Sequence, residues 1–318
     1  MKTIHYLLIT IFLFFTCELI AQEEIITVDT PEVELKGVLR VPESEKPMPI
    51  VLIIAGSGPT DRDGNNPQMI NNSLKQLAEG LNKEEIATLN FDKRWVGESL
   101  PKEEVVYSEV VLEDYVDDAN VLIDYLSQDS RFSKLIIVGH SEGSLIGMLT
   151  ALRNEKVDAF VSLAGAGNPL DKILLEQLAA QGDFLVEIAT PIVDQLKQRQ
   201  RVDEFPPLLN NLFHPAVQNF IISTFSYNPS ELIQKLNIPV LIVNGTTDIQ
   251  VGVEQAEVLS KAKPDADLVI IGNMNHVLKE IDSDNRLLQM LTYTQADLPI
   301  KAELVPAISE FIQKKVNR

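Results

Sequence analysis

Leu135-Ile136-Ile137-Val138-Gly139-His140-Ser141-Glu142-Gly143-Ser144-Leu145-Ile146 is the stretch that decides the fold. Four apolar residues run into a glycine, and an apolar pattern resumes directly after the second glycine. A Gly-x-Ser-x-Gly spacing between a strand and a helix is what a nucleophile elbow requires. The serine must sit on a tight, strained turn with no room for side chains two residues to either side, which accounts for Gly139 and Gly143. Such a turn pushes the Ser141 hydroxyl outward at a helix N-terminus, where the partial positive charge steadies developing negative charge. The five-residue pattern alone is common by chance, and its strand and helix flanks are what give it weight.

Working outward, similar apolar runs recur at Ile50 to Ile54, Ile86 to Phe91, Val157 to Leu163, Val240 to Val243 and Leu268 to Ile271. Near-continuous apolar runs of this length suit strands covered on both faces, as in a parallel sheet. Helical patterns lie between them. Ser73 to Asn82 is one, and Glu113 to Leu126 is another, with Val116, Ala119, Ile123 and Leu126 stepping onto one face. Strand alternating with helix predicts right-handed βαβ units and an α/β fold. Ahead of them Glu24 to Asp29 and Val33 to Val41 read as a hairpin feeding an antiparallel edge, which brings the mostly parallel sheet to about eight strands. The run starts follow no fixed period, so a solenoid is excluded.

One interval breaks the alternation. Residues 168 to 237 separate the strand ending at Leu163 from the one beginning at Val240, far more chain than a crossover needs. Leu170 to Gln181, Phe184 to Gln200 and Val217 to Ser226 have helical patterns, interrupted by Pro206-Pro207 and Pro215. The expectation is an inserted helical lid over a substrate pocket; the alternative is an elaborate crossover that only packs on the sheet.

Composition argues against nucleic acid as a partner. The 318 residues carry a formal net charge of −19, with 27 basic against 46 acidic side chains. A phosphate backbone would be repelled over most of such a surface. At the N-terminus Lys2, the apolar run Tyr6 to Phe15 and the small residue Ala21 read as a signal peptide over residues 1–21, which implies an exported protein, periplasmic or secreted. The charge-free stretch from Thr3 to Cys17 is 15 residues, below the ~17–25 of a spanning helix, so no membrane span is expected in the mature chain, residues 22–318. Lipid attachment at Cys17, the one cysteine, is a weaker reading because Phe14-Phe15-Thr16 lacks a small residue beside it.

A serine hydroxyl is a weak nucleophile near neutral pH and needs a base, which in turn needs an orienting carboxylate. Beyond the leader only His140, His214 and His276 are available. His140 adjoins the nucleophile and points off its face, and His214 lies in the insertion. His276 follows the last apolar run, in Gly272-Asn273-Met274-Asn275-His276. Asp248 follows Val240 to Val243, at a strand's C-terminal end. The chain order Ser141, Asp248, His276 is the one that goes with an elbow of this type. For the oxyanion, the glycine-flanked Gly56-Ser57-Gly58 after Ile54 offers the backbone N–H of Ser57, and the residue after the nucleophile offers that of Glu142. Asp61-Arg62-Asp63-Gly64-Asn65-Asn66 has half the spacing of a calcium loop. It lacks the glycine and the twelfth-position glutamate, and reads as a capped turn walling the pocket. No metal and no cofactor is expected.

Gly56-Ser57-Gly58-Pro59-Thr60-Asp61-Arg62-Asp63-Gly64-Asn65, Gly139 to Gly143 and Thr246-Thr247-Asp248-Ile249-Gln250-Val251 together resemble the α/β-hydrolase superfamily. Within it they are similar to a bacterial serine esterase group near esterase D and the dienelactone-hydrolase-like enzymes. The likeness runs from about Val33 to the C-terminus and implies an α/β-hydrolase fold with ester-cleaving activity. One departure is Trp95, the sole tryptophan, in Phe91-Asp92-Lys93-Arg94-Trp95-Val96-Gly97, where such proteins usually carry glycine. That substitution is expected to reshape the pocket wall near Ser57. The expected partner is a small-molecule ester. A peptidase or thioesterase on the same three residues, and a silent binding module of the same fold, are the alternatives.

Overall fold

The computed structural model describes residues 22–104, 106–283 and 285–316; the leader and Cys17 lie outside the described residues. The expected hairpin is present as β1 (Gln22–Asp29) and β2 (Glu34–Val41), paired antiparallel over their full length. Then come β3 (Met48–Ile54), α1 (Ser73–Lys83), β4 (Ala87–Phe91), α2 (Leu112–Leu126), β5 (Phe132–His140), α3 (Glu142–Arg153) and β6 (Ala159–Leu163). The inserted segment carries α4 (Leu170–Ala179), α5 (Asp183–Lys197), α6 (Asn210–Phe213), α7 (Gln218–Thr224) and α8 (Pro229–Ile233). The chain closes with β7 (Val240–Gly245), α9 (Val253–Ala262), β8 (Asp267–Ile271), α10 (Arg286–Thr292) and α11 (Leu304–Phe311).

The eight strands form one sheet in the order β1-β2-β4-β3-β5-β6-β7-β8, with β2 antiparallel to β4 and every pairing from β4 to β8 parallel. Each residue of β3, β4 and β6 is buried, as their near-continuous apolar sequences lead one to expect of strands covered on both sides. The period of two sorts one strand between two cores. Ile50, Leu52 and Ile54 of β3 join Val116, Ile123 and Ile146 on one face. Val51 and Ile53 join Leu77, Leu81 and Ile308 on the other. The four α2 positions picked by their spacing are all buried.

A third apolar cluster lies apart from the sheet. Leu178, Ala189, Ile192, Val193, Leu196, Val202, Leu209, Phe213 and Ile221 form a small core belonging to the insertion itself. Its chain does not keep that independence to the end. Leu232, Ile233 and Leu236 pack into the sheet core, so the stretch from α8 to β7 belongs to the body although it falls within residues 168–237.

Candidate active site

β5 ends at His140 and α3 begins at Glu142, leaving Ser141 alone on the turn. Its backbone is at φ 56°, ψ −121°, a conformation that costs a residue with a Cβ on the order of 1–3 kcal/mol. A side chain at Gly139 would run into the backbone of Gly143, and one at Gly143 into the carbonyl of Ile54. Glycine at both positions is therefore a steric requirement of the elbow.

The three residues expected to act together are brought together. Asp248, on the loop after β7, accepts the backbone N–H groups of Gln250 and Val251 on Oδ1 at 2.8 and 2.9 Å. Its Oδ2 lies 2.7 Å from His276 Nδ1, and His276 Nε2 lies 3.1 Å from Ser141 Oγ. A carboxylate only accepts, so the ring proton sits on Nδ1 and Nε2 faces the hydroxyl as an acceptor. The Asp248 side chain is fully buried and that of His276 nearly so. The two loops are joined by Thr247 N–H to the Met274 carbonyl (3.2 Å) and Asn273 N–H to Thr246 Oγ1 (2.8 Å). Asn244, still on β7, donates to the carbonyls of Val251 and Gly252 and closes the acid loop beneath.

The other histidines stand apart from proton transfer. His214 is an exposed cap residue whose Nδ1 accepts the Ala216 N–H. His140 is buried and its Nε2 is 2.8 Å from the His276 carbonyl oxygen. Burial first, and the neighbouring His276 second, push its pKa down to about 3, so it is neutral and donates that bond. It is a brace for the His276 loop that the sequence alone does not reveal.

Gly56 passes so close to the elbow that a Cβ on it would lie 3.2 Å from that of Ser141. Ser57 and Glu142 both border the cavity beside Ser141. Among the described residues, no backbone acceptor is paired with either of their N–H groups. One residue missed by sequence reasoning lies here. Lys93, almost wholly buried at the end of β4, donates to the carbonyls of Gly56 and, at 3.1 Å, Gly58. Its Nζ is 3.8 Å from the Glu142 carboxylate. Burial lowers the pKa of Lys93 and raises that of Glu142, each partly offset by the other's charge. The available signal was a cation directly after a buried strand, where water-exposed loop residues are the norm.

The cavity holds about 570 Å³. Its floor is Ser141, Glu142 and Ser57; one wall is Trp95, Tyr107 and Tyr115; the roof is Ile173, Leu174, Leu212, Val217, Phe220 and Ile221 from the insertion. Trp95 has φ 64°, the left-handed region where glycine is at home, and its indole packs edge-on to Tyr107 at 5.3 Å. The altered wall expected from this departure is thus a tryptophan on glycine's backbone geometry. The Asp61 to Asn65 turn, by contrast, does not border the cavity. Its Asp61 and Asn65 side-chain oxygens are turned onto backbone N–H groups of residues 63, 65, 71 and 72, so it launches α1 instead of walling the pocket. Among the described residues no cluster of three or more His, Cys, Asp or Glu is arranged to hold a metal, and no helix is long and apolar enough to cross a membrane.

Residues 71–282 match the family described as Hydrolase_4, serine aminopeptidase, S33. Esterase EstD of Thermotoga maritima is 26% identical over 252 residues, covering 77% of this chain, which spans 58% of that protein's length. Among solved structures, ferulic-acid-bound Est1E from Butyrivibrio proteoclasticus superposes with a TM-score of 0.61 at 18% identity, over 92% of this chain and 100% of that one. The Pyrococcus furiosus esterase Pf2001 gives 0.59 at 17% identity, over 93% and 92%. At such identities the two structures establish the α/β-hydrolase fold.

Proposed function

Because the chain belongs to the Hydrolase_4 (serine aminopeptidase S33) family of α/β hydrolases, we propose that it is an exported serine esterase acting through Ser141, His276 and Asp248. The observation that carries this reading is the continuous relay from Asp248 Oδ2 through His276 to Ser141 Oγ, opening onto an apolar cavity. Ser141 Oγ attacks the ester carbonyl carbon while His276 Nε2 takes its proton, and the carbonyl π pair becomes an oxyanion facing the N–H groups of Ser57 and Glu142. As the carbonyl re-forms, the C–O bond to the alcohol breaks and His276 returns the proton to the departing oxygen, leaving Ser141 acylated. Water, deprotonated by His276, then attacks the acyl carbon; Ser141 Oγ leaves with the proton and the acid is released. Asp248 holds the imidazole tautomer throughout.

The family description and the shared three residues keep a peptidase in view. A free peptide N-terminus needs an unmatched carboxylate to receive it. Glu142 is the one carboxylate among the described residues bordering the cavity, and it already faces Lys93. Neutral esters fit that charge balance better. The leader over residues 1–21 is what supports export, and the segment 168–237 is read as the lid.

A fluorophosphonate probe labels only an activated serine. The mature protein should hydrolyse p-nitrophenyl acetate and be labelled once, and Ser141→Ala should abolish both. Labelling or turnover that survives Ser141→Ala removes the assignment.

A further inference from the structure

Lys93 is a cation with almost no water, set between two residues that are each locked in a buried ion pair. Asp92 takes the Arg62 guanidinium at 2.6 Å and the Arg62 N–H at 2.8 Å. Arg94 holds Asp118 with two parallel bonds of 2.8 Å. Burying an ammonium costs several kcal/mol unless its protons are met, and here they meet the carbonyls of Gly56 and Gly58 and face the Glu142 carboxylate. The other groups around it are the Tyr115 ring, 5.7 Å from Nζ, and His140, which is neutral.

We propose that Lys93 is a positioning residue for the oxyanion hole, its ammonium clamping the carbonyls on either side of Ser57 while facing the side chain of Glu142. One lysine thereby sets both donor residues. The proposal rests on the ester-hydrolase reading above. Its reason is peptide geometry. The Gly56 carbonyl and the Ser57 N–H belong to one planar trans peptide and point in opposite directions. An ammonium fixed on the oxygen therefore fixes where the N–H points, and by polarising the unit makes that N–H a stronger donor. The loop needs such a hold. It has glycine on both sides of Ser57, with Gly58 at φ 70°, and glycine brings little conformational preference of its own.

A structural lysine and a positioning lysine differ in how the enzyme treats an oxygen and a sulfur in the same place. Donors set for a developing oxyanion lose part of their effect on the larger, weaker acceptor of a thionoester. The experiment compares p-nitrophenyl acetate with its thiono analogue, O-(p-nitrophenyl) thioacetate, in wild type and Lys93→Met. In the folded variant kcat for the oxoester should fall about tenfold or more with KM within about twofold. That is less than the ~10²–10³ for deleting a donor outright, because the donor is misplaced and not removed. The oxo-to-thiono ratio should fall by a similar factor. A folded Lys93→Met with the wild-type ratio overturns the proposal.

If Lys93→Met does not fold, the wild-type ratio is followed from about pH 5 to about pH 10.5. Burial holds the Lys93 pKa below the ordinary lysine value, so the ratio should decline as pH rises and the clamp loses its charge, and a ratio constant over the whole range overturns the proposal. Wild-type protein inert to both esters overturns the esterase reading and this proposal with it. Wild-type turnover with a ratio indifferent to Lys93 overturns the proposal alone.

Discussion

The sheet and the insertion close over the same cavity, yet they are held in different ways. Ser141, Asp248 and His276 stand at or just beyond the C-terminal ends of β5, β7 and β8, and residue-by-residue strand pairing fixes where those ends lie. The insertion has its own nine-residue apolar core and is tied to the body by the Phe220 ring against Tyr115 and by a few polar contacts. Leu112 N–H reaches Ser223 Oγ (2.8 Å), Asn219 reaches the Ser108 carbonyl (2.6 Å), and Gln255 of α9 joins Asn168 to Glu176. The difference teaches a division of labour. The three side chains whose mutual distances define the site stand on the sheet, and the apolar roof of the cavity stands on a part with a core of its own.

The largest effect that sharpens this contrast belongs to the sheet. Asp248→Asn keeps the shape of the acid loop but loses the carboxylate that holds the His276 proton on Nδ1, and kcat should drop by roughly 10²–10⁴ with the melting temperature little changed. Steady-state kinetics beside a thermal melt would check this. Near-wild-type turnover would place the orienting acid elsewhere and break the claim that strand ends carry the chemistry.

Next in size is a break in the cap core. Phe213 is fully buried there, and Phe213→Ala should cost about 3–5 kcal/mol of local stability. Hydrogen exchange should then show amides of α5 and α7 losing protection while those of β5 and β6 keep theirs, and fluorophosphonate labelling of Ser141 should persist. Equal loss of protection in both regions would make the cap and sheet one cooperative unit.

How far each region was legible in sequence follows the same division. Strands buried on both faces announce themselves, and all six apolar runs became β3 to β8 with boundaries shifted by a residue or a few. The elbow, Asp248 and His276 were legible because backbone geometry and chain order constrain them. Contacts that depend on tertiary approach were not. Gly139-His140-Ser141 says that His140 points off the nucleophile's face but not that it holds the His276 carbonyl, and no periodicity places Lys93 beneath Gly56. In the insertion, helical spacing located α4, α5 and α7, but amphipathic spacing cannot say what an apolar face meets. Of the insertion's apolar side chains, Leu174 and Phe220 border the cavity, Leu178 and Phe213 fill the insertion's own core, and Phe184 is 59% exposed.

A third test concerns pH and lies wholly in the body. Lys279, three residues past His276, is buried with its Nζ on Gln76 Oε1 (2.8 Å) and the Leu298 carbonyl, and no carboxylate among the described residues is paired with it. Burial brings its pKa down to about 8 from 10.5. The unfolded chain therefore binds the extra proton between those values, and stability should rise with pH across that window, the cost of the buried charge being fully present below about pH 8. Urea unfolding of wild type and Lys279→Met should give a difference that moves in favour of wild type from about pH 7 to pH 10. A difference constant with pH would mean the His276 loop is not anchored by a strained cation.

The smallest effect separates two leucines one helical turn apart on α4. Leu174 faces the cavity, while Leu178 faces the cap core. Truncating Leu174 opens space beside a bound acyl chain, and each methylene that enters it gains up to ~0.8 kcal/mol, roughly fourfold in kcat/KM. Leu174→Ala should thus raise the ratio of octanoyl to acetyl p-nitrophenyl ester turnover severalfold while the rate of fluorophosphonate labelling stays near that of wild type. Leu178→Ala removes the same atoms one turn further along the helix, where they fill the insertion's own core, and should loosen the cap with no directed gain for long chains. If both variants shift the chain-length profile alike, α4 responds as a whole and the cavity does not select by contact. If neither shifts it, selection passes to the wall of Trp95 and Tyr107, which the sheet-borne loop after β4 holds in place, and the division between a fixed sheet and a selective cap fails at the point where it was meant to be most useful.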